Sequence, residues 1–323
     1  MVDNNKTGPN LIIIGVGETG SKITLDIVKE IDSDYLLLNS KKNSKKNSKN
    51  IIIETESWIN PPVYKLREFF LKKMDSIVEI VKNYSNIIIV GNLASKFGIA
   101  VMPKLTNILH TSREKEIISF VIMPFGFEKC RIFHSGVSLS FISSYSDSTV
   151  IIDNNSFLKN NPELSIPECF RITNNAIKDV IITSVDKGFP DNFNVIATCK
   201  ESDNIEDVFS NSFTMFKNSN IEISEKTFMY IYPAKEKIEK IDNILKTVEK
   251  ITYDSENEIN IISNSGNLAK IHLIGKTDNL LFSSYDPLNQ FISFNNFLDY
   301  EPETNQVIKE LAHLQNIETK TIH

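Results

Sequence analysis

The residues best placed to do chemistry come early. Gly15-Val16-Gly17-Glu18-Thr19-Gly20 has the G-x-G-x-x-G spacing that lets backbone N–H groups close around a phosphate. Four apolar residues, Leu11 to Ile14, precede it, and an apolar-periodic run through Ile23, Leu25, Ile27, Val28 and Ile31 follows. The order is therefore strand, glycine turn, helix, which aims a helix N-terminus at an anion. Glycine permits the unusual φ/ψ of such a turn and removes the Cβ that would block a ligand. The same spacing also suits a tight strand–helix turn that holds nothing. An NAD(P)-dependent oxidoreductase would want an acid after the second strand, to hold the ribose hydroxyls, but Tyr35-Leu36-Leu37-Leu38 ends in Asn39. Lys41 and Lys42 would suit a 2′-phosphate, which keeps that reading open. The five histidines, His110, His134, His272, His313 and His323, have no metal-ligand spacing, so no metal site is expected. The three cysteines, Cys130, Cys169 and Cys199, are far apart and point to a reducing compartment.

The elements that must position these residues have material enough. The chain has 323 residues, 41% of them hydrophobic, which suffices for one large core or two ordinary ones. A net charge of −6 provides no basic field for nucleic acid. The start, MVDNNKTGPN, is polar and unlike a signal peptide, and no apolar run reaches the roughly 18 residues of a membrane span. A soluble, cytoplasmic protein is the expectation. Asn39 to Asn50, NSKKNSKKNSKN, carries five lysines and reads as a solvated loop. It leaves a strand end, so a cationic flap near an anionic ligand is the sharper alternative.

Further strands are expected at 51–53, 86–90, 117–123 and 148–152, with helices at 63–83, through Leu105 and Leu109, and at 131–145. The helix over 63–83 has a core stripe of Leu66, Phe70, Met74, Ile77 and Val81. This alternation predicts a doubly wound parallel α/β sheet. Pro167 to Lys187 reads as one long helix, with Ile172, Ala176, Ile177, Val180 and Ile181 making a wide apolar arc that belongs between two layers. A second α/β unit follows: strand 194–199, helix 203–217, strand 227–232, helix 234–250, strands 258–263 and 268–275. The expected division is 1–166 as the nucleotide-binding domain, 167–187 as a linking core helix, 188–278 as a smaller α/β domain and 279–323 as a tail.

This order of loops resembles the tubulin/FtsZ superfamily, most closely a divergent FtsZ-like protein of archaeal type. Gly15 to Ser21 is similar to the phosphate loop GVGGAGN, with Gly15, Gly17 and Gly20 kept and Glu18 replacing a glycine. Asn60-Pro61 falls on the Asn-Pro of the γ-phosphate loop. Asn92 to Pro103, including Lys96 and Gly98, aligns without gaps on GMGGGTGTGAAP. Pro124-Phe125-x-Phe127-Glu128-x-x-Arg131 resembles the family's PFxFE segment. Asp147 to Leu158 is similar to DTLIVIPNDKLL, which puts Asn154 on a guanine- or ribose-contacting asparagine, and Asn174 falls on the base-reading Asn/Asp. The similarity spans roughly residues 10 to 275, and its strength is the colinearity of individually weak matches.

The resemblance implies GTP or GDP with Mg²⁺, head-to-tail filaments, and a role in cell division or membrane-associated scaffolding. The departures imply weak or lost hydrolysis. Of six glycines expected at 92, 94, 95, 96, 98 and 100, only Gly98 remains, and Phe97 and Ile99 stand for threonines. Glu18 sets an anion where phosphates should lie. In the 188–195 loop, where the family has NxDxxD, Asp191 is the lone carboxylate and is out of register. A nucleotide-free pseudo-GTPase that regulates a true filament protein is the rival reading. In the tail, Phe291, Phe294 and Phe297 have helical spacing, and family tails recruit membrane-tethering proteins, so 285–301 is an expected partner motif.

Overall fold

β1 (Leu11–Val16) is buried at every residue, as a central strand covered on both faces must be. The computed structural model describes residues 10–40, 50–55, 60–111, 115–218, 227–234, 238–251, 257–263 and 266–276, all inside one compact unit, Met1–Asp286. After β1 come α1 (Gly17–Ile27), β2 (Asp34–Asn39) and β3 (Asn50–Ile52). Next are α2 (Val63–Leu71), α3 (Met74–Val81), β4 (Asn86–Asn92), α4 (Lys96–His110), β5 (Glu116–Met123), α5 (Lys129–Tyr145) and β6 (Ser148–Asp153). The short α6 (Asn154–Asn160) and the long α7 (Ile166–Lys187) lead to β7 (Asn192–Thr198) and α8 (Ile205–Asn218). β8 (Thr227–Tyr232), α9 (Ile238–Ile251), β9 (Asn257–Ile261) and β10 (Lys270–Lys276) complete the described chain.

The strands form one sheet in the order β3-β2-β1-β4-β5-β6-β7-β10-β8-β9. Its pairs are parallel except around β10, which enters between β7 and β8 antiparallel to both. The architecture is the expected α/β one, but the sheet is mixed, and the β6–β7 pair carries it unbroken into the second half. Alternation along β1 divides the core. Ile12, Ile14 and Val16 join the cluster that includes Phe97, Ala100 and Val101 of α4; Leu11 and Ile13 join Ile23 and Ile27 of α1 and Ala176, Ile177, Val180 and Ile181 of α7. α1 and α4 thus lie on opposite faces of the sheet. α7 contributes Cys169 and Ile172 to the first cluster and the rest of its arc to the second, the two-layer burial its sequence predicts.

Two elements depart from expectation. The single helix at 63–83 is two helices, broken at Lys72-Lys73, where Lys73 takes φ −106° and ψ 0° and its N–H donates to the Phe70 carbonyl. The stripe itself is right, since Leu66, Phe70, Met74, Ile77 and Val81 are all buried. With neither Gly nor Pro at the break, the sequence carries no stop signal there. The unexpected α6 starts from Asp153, whose carboxylate accepts from the Asn155 N–H and the Ser156 hydroxyl at 2.9 and 2.7 Å.

Candidate nucleotide cleft

β1 and β4 are neighbours, and at their C-terminal ends α1 and α4 begin side by side. Ligands of open α/β sheets bind at this edge. Two retained glycines there serve packing. A Cβ on Gly15 would come within 2.8 Å of Ser21 Cα, and one on Gly20 within 2.2 Å of the Val90 carbonyl oxygen, so both let α1 lie directly on the strands. Gly17 alone has the turn geometry, with φ +72°, and its missing Cβ faces the ring edge of Phe97 at 3.5 Å.

A cleft of about 680 Å³ opens beside α1, within the range of small-molecule sites. Gly17, Glu18, Ser21 and Lys22 form one wall, Leu37, Asn39 and Ser40 the far side, and Ser95 and Phe97 the end. The Ser21 hydroxyl and the Asn39 side-chain amide hydrogen-bond at 3.0–3.2 Å, so Asn39 braces α1 across the cleft.

The α4 end is occupied by its own side chains. The Ser95 hydroxyl accepts from the Gly98 N–H at 2.9 Å and donates to the Asn92 carbonyl at 2.8 Å; the Asn92 side-chain oxygen accepts from the Ala94 N–H at 2.7 Å. The N–H groups of Leu93 and Ser95 donate to the carbonyls of Ile122 and Asn92. The Leu93, Ala94, Ser95 and Gly98 amides are thus already paired. Gly98 persists because a Cβ there would stand 2.1 Å from the Asn92 carbonyl oxygen. Phe97 is 8% exposed and closes the inner end of the cleft.

The other expected site residues are distributed as follows. Lys96 donates to the Asn60 side-chain oxygen at 3.1 Å, joining the chain before α2 to the start of α4. Glu128 pairs with Arg131 at 3.0 Å and accepts from the Phe125 N–H, while Arg131 also donates to the Ala94 carbonyl. This pair, with the Ser135 hydroxyl on the Leu93 carbonyl at 2.7 Å, buttresses the 92–95 turn. Asn154, the first residue of α6, stands at the same sheet edge just past β6, about 14 Å from β1 by strand spacing. It is fully enclosed, and neither atom of its side-chain amide has a hydrogen-bond partner among the described residues; the same holds for Asn174 Oδ1. Neither residue is among those lining the cleft, which opens on the β2 side of α1.

Asp191 lies far off. Asn192 is level with Ser148, and through β5 and β4 with Ile13. Asp191 is therefore about 16 Å below Gly17 along the strands and about 19 Å across them, so only a second molecule could bring it to this cleft. The tail motif at 285–301, the lysine run at 41–49 and the span 56–59 lie outside the described residues.

One polar cluster was missed from sequence. Asp179 of α7, 7% exposed, receives Lys270 Nζ at 3.0 Å and faces His272 Nε2 at 3.4 Å, both on β10. His272 Nδ1 meets the Thr198 hydroxyl at 3.0 Å, and Tyr232 donates to the Asp179 carbonyl at 3.0 Å. Burial would push the Asp179 carboxyl up; the His272 hydrogen bond and charge and the Lys270 ammonium outweigh it and hold it at about 2. Burial also pushes the Cys199 thiol beside this seam up to about 11, which leaves it unreactive. Alternation would have shown His272 facing one side of β10, but nothing in sequence pairs it with α7.

No family model matches the chain, and no curated protein is similar to it. Solved structures are. An empty FtsZ dimer from M. jannaschii superposes with a TM-score of 0.66 at 15% identity, covering 84% of this chain and 89% of that one. A GTPγS-bound CetZ2 protofilament from Haloferax volcanii gives 0.60 at 14%, covering 85% and 97%. TubZ of Clostridium botulinum phage c-st gives 0.56 at 13%, covering 88% and 98%. The chain has the tubulin/FtsZ fold. Within this fold the α1 turn keeps its glycine geometry, while the α4 turn is closed by Phe97, Ser95 and Asn92. No group of His, Cys, Asp or Glu that could hold a metal is present among the described residues. Among them, no helix is long and apolar enough to cross a membrane.

Proposed function

We propose that this chain is a cytoskeletal nucleotide-binding protein that takes GTP or GDP, with Mg²⁺, at the α1 turn and assembles head to tail into filaments, in the cytoplasm, for cell division or membrane-associated scaffolding. The observation that carries this reading is the cleft itself: an open volume along α1, from Lys29 to the C-terminal ends of the parallel strands, where a positive-φ glycine at the helix N-terminus lines it. The fold of a GTPγS-bound protofilament supports it. Asn154 and Asn174 are the residues the family resemblance would set against the base; their unpartnered amide atoms suit that role, although neither lines the cleft in the ligand-free chain.

Hydrolysis is weak or absent in this reading. The Ala94 and Gly98 amides are already paired, and Asp191 reaches a cleft only across a subunit junction. The test is sedimentation and electron microscopy of concentrated protein with Mg²⁺ and GTP or GDP, alongside phosphate release. Filaments with little or no release support the reading. Release near one turnover per second, abolished by Asp191→Ala, would restore an active GTPase. The absence of both nucleotide binding and assembly would favour the nucleotide-free pseudo-GTPase module instead.

A further inference from the structure

We propose that the cleft holds a nucleotide with its sugar and base on the β2 side of α1, and so takes purine nucleotides without selecting guanine. The proposal rests on the nucleotide reading above and names the ligand class that this site accepts.

The open volume sets the direction. From the Gly17 turn the cleft runs along α1 past Leu25 to Lys29, with Leu37 and Asn39 of β2 among its lining. Leu25 lies two turns beyond Glu18, about 10 Å along the helix. It is 38% exposed, and Leu37, though buried, belongs to neither core cluster. The trough is thus apolar surface that neither core uses. On the β6 side of α1 the room is taken. Asn154 is fully enclosed, and Phe170, one turn before Asn174 on α7, meets the Phe125 ring edge to face at 5.2 Å. Phe125 is itself 1% exposed.

Asn39 stands where a sugar would lie. It follows Leu38, which pairs with Val16, so it is one strand spacing, about 5 Å, from the end of β1 and the start of the Gly17 turn. Its amide meets the Ser21 hydroxyl at 3.0–3.2 Å and keeps a second N–H and a second lone pair for ribose hydroxyls. Further along the trough a base would meet Leu25 and Leu37. Asp26 beside them is engaged by Lys29 at 2.5 Å. Telling guanine from adenine takes hydrogen-bonding groups, and an apolar wall separates close analogues poorly.

The experiment is isothermal titration of the full chain, stripped of nucleotide, with GDP, ADP and 2′-deoxy-GDP at equal free Mg²⁺. Leu25→Asp and Asn39→Ala are titrated alongside, after circular dichroism melts confirm that they fold. In the wild type the GDP and ADP affinities should agree within about tenfold. Leu25→Asp, which sets a charge in the trough, should weaken both by about tenfold or more. The wild type should prefer GDP to 2′-deoxy-GDP by about fivefold. Asn39→Ala should lose that preference, which the loss of a mere brace on α1 would not change. A guanine preference beyond tenfold overturns the proposal and leaves the nucleotide reading intact, as does GDP binding that Leu25→Asp leaves unchanged. Absence of the deoxy discrimination, or its persistence in Asn39→Ala, takes the sugar off β2 and overturns the proposal too. If no nucleotide binds, the nucleotide reading itself fails and takes this proposal with it.

Discussion

The α1–α4 cleft and the α7–β10 seam handle polar groups in opposite ways. In the seam, a deeply buried carboxylate gathers Lys270, His272 and the neighbouring Lys178, at 3.6 Å, into contacts that need nothing from outside. About 20 Å³ is left beside them, room for one water. In the cleft, Ser95 and Asn92 likewise bond within their own turn, but the α1 wall faces several hundred cubic ångströms of open volume. Paired polar groups hold elements together, and unpaired ones await a ligand. The two sites thus differ in open volume: the seam has room for one water, the α1 side of the cleft for a small molecule.

The sharpest way to break this comparison is through the glycines. Gly20→Ala and Gly98→Ala each drive a Cβ onto a backbone carbonyl, at 2.2 and 2.1 Å, and neither carbonyl can step aside without moving a strand end. Each should destabilise the ligand-free protein by about 3 kcal/mol or more. Gly17→Ala meets only a 3.5 Å contact and the strain of φ +72°, so it should cost about 1 kcal/mol while weakening nucleotide binding. Urea unfolding separates them; equal losses at all three would mean that Gly17, too, is a packing residue.

The seam gives the next effect. Asp179→Ala leaves His272 and Lys270 without their acid and should cost about 3 kcal/mol, the low end for a broken buried pair, since the Lys270 side chain is 29% exposed. Nucleotide affinity should not change. A loss of affinity equal to that of a cleft variant would show that seam and cleft are not separable.

Acid reads the same carboxylate without mutation. Its folded value, about 2, lies below its ordinary 3.8, so its contribution is complete above pH ~4 and is lost as pH falls toward 2. The shift corresponds to ~2 kcal/mol at neutral pH. Asp179→Asn should flatten that limb of a stability–pH curve measured by thermal melts. An unchanged limb would assign acid sensitivity to other carboxylates.

How much of this was legible beforehand follows from the range of the interactions. Strand β1, the α7 arc and the core stripes could be read because each rests on periodicity within a few residues. The glycine turn was legible as a turn, but whether Gly15 and Gly20 served ligand or packing depended on Ser21 and Val90, which only the fold brings close. Phe97 read as a departure from a family pattern, not as the residue that ends the cleft. The Asp179–Lys270–His272 cluster joins positions some 90 residues apart, and β10 slips between β7 and β8 against sequence order. No local pattern encodes either. The break at Lys72-Lys73 had no Gly or Pro to announce it.

The smallest expected effect isolates the α4 end of the cleft. Ser95→Ala removes the hydroxyl that accepts from the Gly98 N–H and donates to the Asn92 carbonyl. Loss of such an N-cap should cost about 1 kcal/mol. It also frees one amide at the mouth of α4, where the helix dipole favours an anion. Phosphate or sulfate should therefore stabilise the variant more steeply than the wild type when melting temperature is followed against salt. Such salts stabilise most proteins by exclusion from the surface, so the difference between the two slopes is the informative quantity. A steeper slope for Ser95→Ala means that Ser95 itself occupies an anion position. Parallel slopes would mean that the α4 end has no residual affinity for anions, and that Phe97 alone accounts for its closure.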